Sequence, residues 1–562
     1  MGRIPARGVR SKRGDGIYWV LMKSPLAVTL MTVDEAVALV SDGDTVAIEG
    51  SGGGIVEPDA LMAALGRRFS ATGQPSGLTL IHTTGMGDRR TKGLSLVAKE
   101  GLWRRVIGGH FGQAAEMAQL VADNKIEAYN FPVGVISQLY REIAAGRPGV
   151  MTHVGLGTFV DPRQEGGRLN EITRASLVEL MEIDGREWLY YRAMPIDVAF
   201  IRGTTADEDG YISMEQEAAT LGVLSVAQAT RNSGGIVIAQ VKRLAVAGSL
   251  PAKSVVVPGS LVDAVVVHEE QWQTYDSEYN PSFSGDIRVP VQHIEVPVFN
   301  VRKVIARRAA MELIPGAVVN LGVGVSDGVS GVAAEENCSD LFTFTVEQGA
   351  YGGVPASGLL FGAASNPRAF VSSASQFDYF AGGGLDLAFL GMAQTDRNGN
   401  INVSKYNGIV TGTGGFVDIS QGAKAVVFCA TFTTGGLRVA FQNGTIKIVE
   451  EGKYRKVVEK VDQITFSGEQ ARRRGQRVIY VTERAVFELM AQGLTLTEIA
   501  PGVDLVRDVL NQMEFSPIIA QDLKVMDARL FEPELMGLVS LLQTKSQPAI
   551  TSRFRQRLKN LP

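Results

Sequence analysis

Asp197-Val-Ala-Phe-Ile-Arg-Gly-Thr-Thr-Ala-Asp-Glu-Asp-Gly-Tyr-Ile212 decides the fold, because the chain repeats its pattern at Asp386-Leu-Ala-Phe-Leu-Gly-Met-Ala-Gln-Thr-Asp-Arg-Asn-Gly-Asn-Ile401. Each copy reads as a buried strand followed by a D-x-x-G turn, the punctuation of α/β structure. Upstream, Glu35-Ala-Val-Ala-Leu-Val-Ser-Asp-Gly43-Asp-Thr-Val-Ala-Ile48 pairs with Arg308-Ala-Ala-Met-Glu-Leu-Ile-Pro-Gly316-Ala-Val-Val-Asn-Leu321. In both, an amphipathic helix with a glycine beyond its end runs into a β-branched strand, which then opens into glycines. A third pair, Leu78-Thr-Leu-Ile-His-Thr-Thr-Gly85 against Phe342-Thr-Phe-Thr-Val-Glu-Gln-Gly349, superimposes Thr83 on Glu347.

Three ordered pairs make the chain two homologous open α/β halves with mostly parallel sheets, fused end to end. The first half carries roughly 75 extra residues between its matched blocks. Boundaries are expected at residues 1–31 for a basic, disordered extension, 32–290 for the first half and 291–562 for the second. The joint is expected near Tyr279–Asn300, where Pro and Gly break the pattern. Parallel sheets bind ligands beyond the carboxyl ends of their strands. Glycines cluster there in both halves, so one site between the halves or two related sites is expected.

Composition removes several function classes. With 55 basic against 59 acidic residues in 562, the net charge is −4, which leaves no electrostatic footprint for nucleic acid. Cys338 and Cys429 are too few for a disulfide framework or a thiolate metal site, and point to a reducing, cytoplasmic setting. No stretch approaches the ~18–20 apolar residues of a membrane span, and the basic start lacks the apolar core of a signal peptide. The 64 glycines are in excess, consistent with tight turns and close backbone approaches to a ligand.

Most familiar catalytic sets are missing. Gly322-Val-Gly324-Val-Ser-Asp-Gly328 has one residue too many for a dinucleotide fingerprint, and no P-loop occurs. His82, His110, His153, His268 and His293 form no metal-binding spacing. Gly324-Val-Ser326-Asp-Gly328 has the letters of a nucleophile elbow, but no histidine follows to complete a hydrolase triad. Gly412-Thr-Gly414-Gly415 reads either as a tight βα turn or as an anion cradle, and is expected to run on without a clear helix. Glu347 ends an apolar strand and opens Gln-Gly-Ala-Tyr-Gly-Gly. It is either a loop glutamate or a rigidly held nucleophile with room for a carbonyl to approach.

Val346-Glu-Gln-Gly-Ala-Tyr-Gly-Gly353 resembles the nucleophile motif of class I coenzyme A transferases. Gly412-Thr-Gly-Gly-Phe-Val-Asp-Ile419 is similar to that family's G-x-G-G turn. Val478-Ile-Tyr-Val-Thr-Glu-Arg-Ala-Val-Phe487 resembles its C-terminal signature. The likeness runs from about Val33 to about Phe531 and is nearest to the short-chain acyl (acetate/propionate and acetoacetyl-CoA) members.

The resemblance implies transfer of CoA between a short-chain acyl-CoA and a free carboxylic acid through a γ-glutamyl-CoA thioester. CoA is then substrate, with no resident cofactor and no metal, and a homodimer or homotetramer is expected. It assigns the nucleophile to Glu347 and oxyanion donors to Gly414 and Gly415. Gly322, Val323, Gly324, Val325, Ser326 and Gly412 fall to CoA, and Thr83, Thr84 and the Gly108–Gly112 turn to the acid. Thr83 stands where succinate-using relatives are expected to carry an asparagine. An acyl-CoA hydrolase on the same fold, or a non-catalytic CoA-ester-binding regulator, remain the alternatives.

Overall fold

The computed structural model describes residues 9–12, 17–20, 27–290, 298–406 and 408–543. Eight strands form the main run of the ten-stranded first sheet: β1 (Thr29–Leu30), β2 (Thr45–Ile48), β3 (Leu78–His82), β4 (Trp103–Gly108), β5 (Glu127–Asn130), β6 (Val198–Asp207), β7 (Ile236–Ala245) and β8 (Ala264–Val267). They lie in the order β1-β8-β7-β6-β2-β3-β4-β5, every neighbouring pair parallel. The second sheet is centred on β9 (Val318–Leu321), β10 (Thr343–Thr345), β11 (Leu387–Gly391), β12 (Ala425–Cys429) and β13 (Arg477–Val481). Its parallel core has the order β10-β9-β11-β12-β13. Antiparallel strands extend it at both edges.

The two sheets repeat one topology. Numbered within its own half, each core reads 5-4-3-1-2, with the strand order reversing beside the first strand. The repeated Asp-x-Ala-Phe stretches are the third strands, β6 and β11. All ten residues of β6 are buried, as a continuous apolar run in a doubly covered sheet requires. Helices α1 (Val33–Ala38) and α3 (Val301–Ala310) precede the two first strands. Thr32 and Asn300 cap them by accepting backbone N–H groups. Gly43 and Gly316 end the two linkers with φ of +82° each, a left-handed conformation that glycine takes without strain.

The inserted stretch of the first half lies between β3 and β6. It supplies β4, β5, the helix α2 (Val133–Ala144) and a three-stranded antiparallel sheet built from Gly149–Thr152, Val178–Ile183 and Arg186–Arg192. Helix α2 reaches across the seam and packs on α4 (Ser373–Ala381) of the second half.

One expectation needs correction. Residues 28–31 are not part of a disordered extension. β1 adds to the edge of the first sheet, held by Val28 N–H to Glu208 O and Met31 N–H to Val265 O, both at 3.0 Å. Val9–Lys12 pairs antiparallel with Ile17–Val20, while the rest of residues 1–26 lies outside the described residues. Residues 291–297 of the expected joint, His293 among them, also lie outside them. Among the described residues, no helix is long and apolar enough to cross a membrane.

Candidate active site

The carboxyl ends of the two sheets' strands face one another, and the loops beyond them are stitched together by backbone hydrogen bonds. Asn130, at the end of β5, is the central rivet. Its Nδ2 donates to Gly108 O (2.8 Å) and Gly109 O (2.7 Å), while its Oδ1 accepts the Thr413 N–H at 3.0 Å. Thr411 O accepts from Phe111 N–H (2.7 Å) and Gly112 N–H (3.0 Å). Gly414 donates its N–H to Gly109 O at 2.8 Å and accepts the Val133 N–H at 3.1 Å. A buried polar group left unpaired is costly, so these pairings fix the Gly412–Gly415 loop of the second half against the first.

That seam encloses a cavity of about 230 Å³. From the second half it is lined by Asn320, Gly322, Val323, Glu347, Gln348, Leu390 and the loop Thr411–Phe416. From the first half it is lined by Ser51, Gly52, Thr84, Gly85, His110 and Gln113. Glu347 is the one acidic side chain on its wall, and no lysine or arginine lines it among the described residues. Val323, Gln113 and Leu359 also line an adjoining channel of about 1410 Å³, together with Gly324, Val325, Arg89, Arg90 and Arg302.

Glu347 is surrounded by protein but keeps one face open to the cavity. Its Oε2 accepts the Gly415 N–H at 3.0 Å, and its Oε1 lies 3.4 Å from Gln348 Nε2. Burial pushes its pKa up to about 7, against the pull of these two donors. The charge of Glu347 in turn bears on the buried Asp418, whose Oδ2 accepts the Gly134 N–H at 3.2 Å. Burial holds the Asp418 carboxyl well above the usual range. His110 is pushed down to about 4 by burial and by Arg89, so a neutral imidazole faces the cavity.

The sequence-nominated residues do not all meet. Glu347, Gly322, Val323, Gly412, Gly414 and Gly415 converge on the cavity, whereas Gly324 and Val325 lie along the channel. Ser326 lines neither, because its hydroxyl turns inward and donates to Gly322 O at 2.9 Å. Thr83 is likewise absent from the wall. It is buried, and its hydroxyl donates to Glu49 Oε2 at 3.1 Å, so its neighbour Thr84 lines the cavity instead. Gly414 offers no free donor, because Gly109 O takes its N–H.

The Gly-Gly turn does lead into a helix, α5 (Phe416–Gly422), with Gly415 as its N-cap at φ −81°. All seven helical residues are buried, so no amphipathic period marked the helix in the sequence. Ser51, Gln113 and Asn130 are not marked for chemistry by the sequence, and His110 only as a member of the Gly108–Gly112 turn. They are ordinary polar residues at a strand end and in loops, and only their convergence gives them meaning.

The coenzyme A transferase family profile matches residues 30–268. The acetate CoA-transferase YdiF of Escherichia coli K12 is 46% identical over 514 residues, covering 91% of this chain and 97% of that one. The caffeate CoA-transferase of Acetobacterium woodii is 45% identical over 521 residues, covering 91% and 99%. The crystal structure of the acyl-CoA transferase YdiF from Escherichia coli O157:H7, a thioester complex with CoA, superposes with a TM-score of 0.87 at 45% identity. It covers 91% of this chain and 98% of that one. With its duplicated α/β sheets, and a glutamate held at the cavity between them, the chain belongs to the coenzyme A transferase family and is a CoA-transferase.

Proposed function

We propose that this enzyme moves CoA between a short-chain acyl-CoA and a free monocarboxylic acid, with Glu347 as the covalent carrier. The observation that carries the reading is the Glu347 carboxylate, held by the Gly415 N–H on a cavity wall with no other acidic group among the described residues. Ionised Glu347 adds to the thioester carbonyl, and the carbon–sulfur bond breaks to give a mixed anhydride and CoA thiolate. The thiolate then adds to the glutamyl carbonyl, and the acyl group leaves as its carboxylate. The incoming acid runs the two steps in reverse. In the glutamyl addition the oxyanion forms on the oxygen already bound by the Gly415 N–H. That donor is in place before the charge develops, which is where preorganisation is worth most.

The channel fits the rest of the CoA molecule. It opens off the nucleophile's cavity, and Arg89, Arg90 and Arg302 on its wall suit phosphate groups. The YdiF structure, described as a thioester complex with CoA, supports the covalent reading by similarity.

The acid-binding side sets the chemical class. A second carboxylate entering this cavity would be stripped of water with no lysine or arginine among the described residues to receive it, an uncompensated burial of charge. Exchange of acetyl-CoA with acetate, propionate or butyrate is therefore expected to exceed exchange with succinate. An acyl-exchange assay over a panel of acids checks this, and faster exchange with succinate than with acetate overturns it. The same assay without added acid tests for a hydrolase, since rapid CoA release would then need only water.

The acidic limb of the rate profile should report Glu347. Its folded pKa of about 7 lies above the ordinary 4.5, so the attacking carboxylate is full only above that value. As pH falls through about 7, kcat/KM should drop roughly tenfold per unit. Steady-state kinetics from pH 5 to 9 would show it. A flat profile down to the ordinary carboxylate range would contradict the raised pKa.

A further inference from the structure

Gln348 follows the nucleophile directly and is buried, with 3% of its surface exposed. Its amide points back across the seam. Nε2 donates to Ser51 Oγ of the first half at 3.1 Å and lies 3.4 Å from Glu347 Oε1. Its Oε1 is buried with no hydrogen-bond partner among the described residues. Turning the amide over would set an oxygen against an ionised carboxylate oxygen, so the observed orientation is the one compatible with a charged Glu347. The far side is closed by Gly362, where a Cβ would come within 2.8 Å of Gln348 Cδ.

We propose that Gln348 is a positioning residue: anchored on Ser51 of the opposite half, its amide holds the Glu347 carboxylate in its attacking orientation. The inference rests on Glu347 being the nucleophile. The carboxylate is then gripped at both oxygens, Oε2 by the rigid Gly415 backbone and Oε1 by an amide that the first half must hold in place. An orphaned buried carbonyl oxygen is unfavourable and persists only where other contacts over-determine the conformation, as two donations from one Nε2 do here. The 3.4 Å contact is long in the resting enzyme, as catalytic hydrogen bonds often are before substrate binds. Because the anchor lies on the first half, correct aim of the nucleophile depends on both halves being in register.

The test uses Gln348→Met, which keeps the length and loses the donor, together with Ser51→Ala and the double variant. Three quantities are read: the single-turnover rate of CoA attachment to Glu347 from acetyl-CoA, the pH profile of kcat/KM, and thermal stability. Gln348→Met should slow attachment about ten- to a hundred-fold, the scale of a hydrogen bond to a charged group, with KM little changed. Its acidic limb should move upward, since a donor to the ionised form is gone. Ser51→Ala should shift both quantities in the same direction by less, and should add nothing further in the Gln348→Met background.

A wild-type attachment rate and an unmoved acidic limb in Gln348→Met, or Ser51 and Gln348 effects that multiply in full, would overturn the proposal. Should Gln348→Met fail to fold, Ser51→Ala alone decides: a moved limb supports the anchor and an unmoved one refutes it. Failure of the underlying reading looks different, because wild-type enzyme would then carry no CoA on Glu347.

Discussion

Glu347→Gln is expected to abolish transfer, lowering kcat by on the order of 10⁴–10⁶-fold, the scale of removing a covalent nucleophile. The amide keeps the shape of the carboxyl and can still accept the Gly415 N–H, but has no charged oxygen with which to attack. Wild-type enzyme incubated with acyl-CoA and no acceptor acid should gain CoA on the peptide containing Glu347. Mass spectrometry should find that mass absent from the variant. An adduct on another residue, or activity retained in Glu347→Gln, would end the assignment.

The same variant carries a stability signature of opposite sign. A carboxyl whose folded pKa is about 7 keeps its proton in the folded chain at pH values where the unfolded chain, near 4.5, has released it. Its contribution to stability is therefore lost as pH rises between those two values. Glu347→Gln should be more stable than wild type at pH 8, and the difference should close toward pH 5. Thermal melts at the two pH values measure it, and a gap that widens toward pH 5 would reverse the electrostatic account.

Gly415→Ala is the second large effect. The glycine is required here by close approach rather than by an unusual φ, since its φ of −81° suits any residue. A Cβ at this position would stand 2.1 Å from Glu347 Oε2 and 3.1 Å from the Phe377 ring. Phe377 is fully buried, so the carboxylate is the group that must move. The substitution thus breaks the hydrogen bond that holds Glu347 and that, in the proposed mechanism, receives the glutamyl oxyanion. Loss of one such donor typically lowers kcat about 10²–10³-fold. With the loss confined to the transition state, kcat/KM should fall by about as much and KM should stay near its starting value.

Gly210→Ala serves as the control, in the D-x-x-G turn that follows β6. Its φ of +83° and a Cβ contact of 3.1 Å to Val28 make the substitution strained, but it lies outside the cavity wall. It should lower the melting temperature and leave kcat largely intact. If Gly210→Ala lost kcat while Gly415→Ala kept it, the oxyanion site would not be in this turn.

The two-half architecture is legible in the letters alone, because an apolar strand, a turn glycine and a helix cap act over a few residues and survive in each copy. Gly43 and Gly316 were legible as helix-to-strand turns, and both take the left-handed conformation. Glu347 stood out for the same local reason: a charged residue closing an apolar strand among glycines has little structural cause to be there.

What the letters could not carry is direction and company. The repeat aligns Thr83 with Glu347, and both follow the second strand of their half. Yet Thr83 turns to the buried Glu49 while Glu347 faces the cavity. Ser326, at the glycine-rich end of the first strand, is spent on its own loop. Gly414 and Gly415 are adjacent glycines, but one N–H is consumed by Gly109 and the other reaches Glu347. Only the packing of one half on the other decides such pairings. Ser51, His110, Gln113 and Asn130 stand more than 200 residues from Glu347 in the chain, and no local pattern records a contact made across a seam.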